Sequence, residues 1–107
     1  MTITTSSRAI HTNDKRNGAP QYALRLYITG VTPHSRRALA NIKEICDQNF
    51  RGRYALEIID LYQHPELTRR EQIVASPTLV KTRPLPSCRF VGDLSDSSEV
   101  LSKLKQH

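Results

Sequence analysis

The sequence predicts a small α/β domain: a strand–helix–strand unit followed by a second half of short, weakly specified elements. Three observations predict it. Residues 22–29 alternate apolar and polar side chains up to Gly30, the signature of a strand. Ala38, Leu39, Ile42, Ile45 and Cys46 recur at helical spacing, and a second Ile/Leu-rich run begins at Tyr54. The chain has 107 residues, of which 37% are hydrophobic, enough for one core and no more.

Residues 1–20 are rich in Thr, Ser, Asn and Arg and have little to bury, so a disordered N-terminal arm is expected, with the domain spanning residues 21–107. In the first strand Leu24, Leu26 and Ile28 share one face, and Arg25, Tyr27 and Thr29 the other. Thr32 then reads as a helix N-cap, with Pro33 at the first helical position, where its missing N–H costs nothing. The apolar stripe that follows lies opposite Arg36, Arg37, Lys43 and Glu44, and Gly52 is placed as the stop. The second strand runs from Tyr54 to Asp60. A strand, a helix of about 16 residues and a strand form a βαβ unit with parallel strands.

The second half is locally ambiguous. Residues 61–74 carry Pro65 and only Leu67, Ile73 and Val74 as helical apolar positions, enough for a short helix. Residues 76–82 read as a strand entered through Pro77. Pro84 and Pro86 force a turn, Cys88–Val91 is a short strand, and residues 92–95 are a turn. Asp96 with Glu99 then patterns a capping box before Val100, Leu101 and Leu104. The order βαβαββα is that of thioredoxin-like domains. Three X-Pro bonds fall within ten residues, and exchange at such bonds is slow. The prolines read either as ordinary rigidification of loops or as the mark of a segment that settles into more than one arrangement.

No catalytic constellation emerges. In a thioredoxin-like domain the redox pair sits at the start of the first helix, where the helix N-terminus lowers a thiol pKa. Here that turn reads Thr32-Pro33-His34-Ser35, oxygen at both sulfur positions. Disulfide exchange at that turn is chemically excluded. Cys46 lies on the apolar helix face and Cys88 starts a strand beside Arg89, which would lower its pKa modestly; structural roles are expected for both. His11, His34, His64 and His107 are scattered, so no metal or other cofactor is expected. No phosphate-cradling glycine motif occurs.

Sixteen Lys/Arg against ten Asp/Glu leave +6, spread over the chain with no long basic run. A nucleic-acid surface would need aromatic residues flanked by basic ones, and Tyr27 with Arg25 and Tyr54 with Arg53 come nearest. Core tyrosines are the reading preferred. No apolar run approaches the roughly 20 residues of a membrane span. The first residues lack a basic stretch followed by an apolar one, so a cytoplasmic protein is expected.

Leu26-Tyr27-Ile-Thr-Gly-Val-Thr-Pro33, Ser35-x-x-Ala-Leu39, Tyr54-Ala-Leu, Ile59-Asp60, Ala75-Ser-Pro-Thr-Leu79 and Gly92-Asp-Leu-Ser95 together resemble the circadian clock family KaiB, over residues 22–101. The resemblance implies a non-enzymatic protein, without cofactor, that binds the N-terminal ring of the hexameric ATPase KaiC. It implies KaiA or a thioredoxin-like histidine kinase as further partners in signalling. It also implies two folds: a KaiB ground-state fold assembled as a homotetramer, and a thioredoxin-like monomer that binds the ATPase. The C-terminal half rearranges between them. Gly92 and Asp93 match positions that bias this switch, so Gly92→Ala or Asp93→Arg is expected to favour the monomer. Pro77 matches the proline that differs between folds. Lys81 and Arg89 match basic positions near the second-half strands, which implies a part in the partner contact or in tetramer packing. Glu57 stands where the family usually has lysine, on a surface implicated in ATPase binding. The alternative is a thioredoxin-like adaptor fixed in one fold.

Overall fold

The computed structural model describes the backbone of residues 8–12 and all of residues 21–105. It contains β1 (Arg8–Thr12), β2 (Tyr22–Ile28), α1 (Pro33–Asn49), β3 (Tyr54–Asp60), α2 (Glu66–Arg70), β4 (Thr78–Arg83), β5 (Cys88–Val91) and α3 (Ser97–Leu104). One five-stranded sheet has the order β1-β3-β2-β4-β5. β2 and β3 pair in parallel, as a βαβ unit requires. β4 runs antiparallel to β2, and β5 antiparallel to β4.

Strand alternation sends each apolar set to its own core. Leu24, Leu26 and Ile28 of β2, with Leu56 and Ile58 of β3, pack beneath α1 and α3 against Ala38, Ile42, Ile45, Val100 and Leu104. On the other face Tyr27 and Ile59 meet Leu61, Ile73 and Leu67 of α2. A two-faced core of this kind explains why β3 is buried along nearly its whole length.

α1 begins as its sequence dictates. Thr32 is extended, its hydroxyl accepts the Ser35 N–H (3.1 Å), and Ser35 Oγ accepts the Thr32 N–H (2.8 Å). The helix ends at Asn49, three residues before Gly52, and its C-cap Phe50 stacks on Tyr22 with ring centroids 3.9 Å apart. Gly52 instead supplies a φ of +78° in the turn into β3. In the second half Asp96 caps α3 by accepting the Glu99 N–H (3.2 Å). After β1 the order is βαβαββα, the thioredoxin-like arrangement.

The expectation of a disordered arm is corrected at residues 8–12. They form β1, antiparallel to the outer edge of β3, with Ile10 opposite Glu57. That edge offers unpaired backbone groups to any nearby strand, and the segment's own polarity does not prevent pairing. The rest of the expected arm lies outside the described residues.

Candidate functional site

The end of the sheet where α1 starts gathers three loops. Asp60, the last residue of β3, is buried, and its Oδ1 accepts the N–H of Gly30 (3.2 Å) and of Tyr62 (2.9 Å). One carboxylate thus ties the turn before α1 to the loop after β3. Thr29 Oγ1 donates to Ser76 Oγ (3.2 Å), bringing in the loop before β4. Beside these ties Val31, Tyr62 and Val74 are exposed, Val74 by 93%.

Pro77 and Gly92 meet at the neighbouring junction, where the Pro77 carbonyl accepts the Gly92 N–H (3.0 Å). The Ser76–Pro77 bond is cis. Asp93 docks on α1: Asn41 Nδ2 donates to its carbonyl (2.7 Å), and Arg37 Nε lies 3.5 Å from its carboxylate. Ser95, with lesser help from His34 and Arg37, holds the Asp93 carboxyl below its ordinary value. Pro77, Gly92 and Asp93 therefore form one junction joining β4, β5 and α1. Its Gly92 has a φ of +110°. An alanine at that angle is strained in this arrangement. Asp93→Arg would set a second cation before Arg37.

Glu57, Lys81 and Arg89 do not come together. Glu57 is 8% exposed and pairs with Arg25 at 3.2 Å on the α2 face. Lys81 has no exposed surface; its Nζ donates to Leu104 O (3.3 Å) under α3. Arg89 spends its guanidinium on the carbonyls of Glu71 (2.7 Å) and Gln72 (2.9 Å). The expectation that Lys81 contacts a partner is corrected for this arrangement, because strand alternation turns it into the core. Glu57 and Arg89 likewise have internal partners.

Both thiols are unreactive in character. Burial pushes the Cys46 thiol up to about 12. Burial also raises the Cys88 thiol, against the lowering effect of Lys81 and Lys103. The modest lowering expected from Arg89 is corrected: as strand neighbours, the two side chains point to opposite faces. Tyr27 and Tyr54 are at most 1% exposed, so neither offers a ring to a nucleic-acid base. Among the described residues no group of three or more His, Cys, Asp or Glu could hold a metal, and no helix is long and apolar enough to cross a membrane.

Sequence reasoning missed Asp60, Arg37 and Asn41. An aspartate closing an otherwise apolar strand is the one signal that pointed to the first; the other two read as ordinary helix-surface residues.

Sheet order, core faces and the hydroxyl-bearing turn define the class: a thioredoxin-like domain whose helix-start turn holds no thiol pair. Solved structures agree on the fold. The N-terminal domain of SasA from Synechococcus elongatus superposes with a TM-score of 0.66 at 20% identity, covering 90% of each chain. Chloroplastic thioredoxin z gives 0.64 at 16% identity, covering 78% of this chain and 75% of that one.

Within that class the particular family is shown by sequence. The KaiB domain model matches residues 25–105. Circadian clock oscillator protein KaiB of Synechococcus elongatus is 49% identical over 80 residues, 75% of this chain and 78% of that one. The KaiB of Trichodesmium erythraeum is also 49% identical over 80 residues, covering 75% and 77%. The chain belongs to the KaiB family of circadian clock proteins.

Proposed function

We propose that this chain is a non-enzymatic regulator in a timing or stress-adaptation system, and that it binds a hexameric KaiC-type ATPase in the cytoplasm. The observation that carries this is the KaiB match over residues 25–105, in a domain whose motif turn, Thr32–Ser35, has hydroxyls where redox members of the fold have thiols. In this reading the thioredoxin-like arrangement is the binding-competent monomer. A homotetramer with a differently packed C-terminal half is its resting partner state, and the Pro77–Gly92–Asp93 junction biases the exchange. KaiA or a thioredoxin-like histidine kinase domain is the further partner.

The exposed end with Val31, Tyr62 and Val74 is the docking face. Glu57, Lys81 and Arg89 influence binding through the fold they hold. The test is a binding titration of wild type and Val74→Asp on the surface-immobilised ATPase ring with nucleotide. Val74 is so exposed that its substitution leaves the fold intact. Saturable wild-type binding that Val74→Asp weakens at least about tenfold supports the reading, about 1.4 kcal/mol of interface energy. No wild-type binding, or equal binding of the variant, refutes it.

A further inference from the structure

Lys81 is an anomaly in the larger core. It points from β4 to the same side as Leu79, and both have no exposed surface. What closes over it is the last turn of α3, whose Leu104 is likewise fully buried. The ammonium donates to the Leu104 carbonyl at 3.3 Å, at the negative end of the helix dipole. That contact is right in sign, yet longer than the usual 2.9–3.0 Å or so. α3 itself has eight residues and buries only Val100 and Leu104. A well-paired ammonium in such a place still gives up hydration that an apolar side chain of the same volume never had to lose.

We infer that Lys81 is a release residue for α3. Docking the helix strips the ammonium of water, and undocking restores it, so the charge makes α3 the easiest element of this core to remove. Whether α3 departure feeds the change of arrangement proposed above is a consequence that rests on that reading. The inference itself concerns only the docking of α3.

The test is hydrogen exchange of α3 amides in wild type, Lys81→Met and Lys81→Leu, each as the full chain. Met and Leu keep the packing and remove the charge. The expected result is slower exchange of the α3 amides by about tenfold or more, with the β2 and β3 amides unchanged. Equal or faster α3 exchange in both variants overturns the inference. An acetylating amine reagent gives a second measurement on wild type. Lys103 and Lys105 are exposed and react at once, whereas Lys81 reacts only as fast as α3 opens. Labelling of Lys81 as fast as Lys103 also overturns it. The same variants are then mixed with the ATPase ring. Slower α3 exchange with an altered rate of complex formation supports both this inference and the switch. Slower exchange with an unaltered rate supports the release role and refutes its link to the proposed exchange.

Discussion

Gly92→Ala measures the backbone strain that the junction holds. Gly92 has a φ of +110°, and nothing lies within 4 Å of the place an added Cβ would take. The penalty is therefore purely conformational, about 1–2 kcal/mol for holding an L-residue there. Gly52 is a matched control: its φ is +78°, and it too has open space around the missing Cβ. It lies in the turn between α1 and β3, in the half that stays βαβ in the proposed exchange. Alanine also narrows the unfolded ensemble by about 0.4–1 kcal/mol, which offsets part of the loss in an unfolding experiment. Net of that offset, Gly92→Ala should lower the unfolding stability of this arrangement by about 1 kcal/mol. Gly52→Ala should lower it by a similar amount, since its backbone angle is also positive and its surroundings are also open. The assay is chemical denaturation at fixed protein concentration, followed by circular dichroism. A gain in stability in Gly92→Ala would refute the reasoning, as would a loss in Gly92→Ala with none in Gly52→Ala.

Three further outcomes are expected. Thr32→Ala removes the hydroxyl that accepts the Ser35 N–H, costing about 1 kcal/mol and lowering Tm by about 4–8 °C by calorimetry; an unchanged Tm contradicts the cap. Cys46, with its thiol at about 12, should stay silent to Ellman's reagent at pH 8 until denaturant unfolds the chain, whereas reaction in the native state would show that α1 opens. The Asp93 carboxyl is depressed in the folded state, so its contribution is complete above its ordinary value of 3.8 and fades as pH falls through the lower folded value. The Ser95 amide resonance should accordingly titrate with a midpoint below 3.8, and a midpoint at or above it would show that Asp93 is not held.

The βαβ half was legible because its signals are local and mutually consistent. Alternation in β2, the Thr32–Pro33 start and the apolar stripe of α1 each specify the same element that the sheet then uses. The second half reads poorly for a physical reason. α2 is a single turn with no buried residue, and β5 is four residues long. Their places depend on distant ties such as Arg89 to the Glu71 and Gln72 carbonyls, which no local pattern announces. Lys81 is the sharpest failure. A lysine between valine and threonine reads as a solvent-facing break in a strand, and only the register with β2 and the overlying α3 turn it inward. β1 escaped because pairing on an open edge asks little of the side chains that pair.

The central claim is that one chain of this family exchanges a resting assembly for the thioredoxin-like monomer that an ATPase ring captures. Light scattering coupled to size-exclusion chromatography tests it most directly, on the chain alone and after incubation with a KaiC-type hexamer and nucleotide. A tetramer alone that becomes one subunit per ATPase protomer in the complex is the predicted result. A chain whose mass stays the same with and without the ring contradicts it.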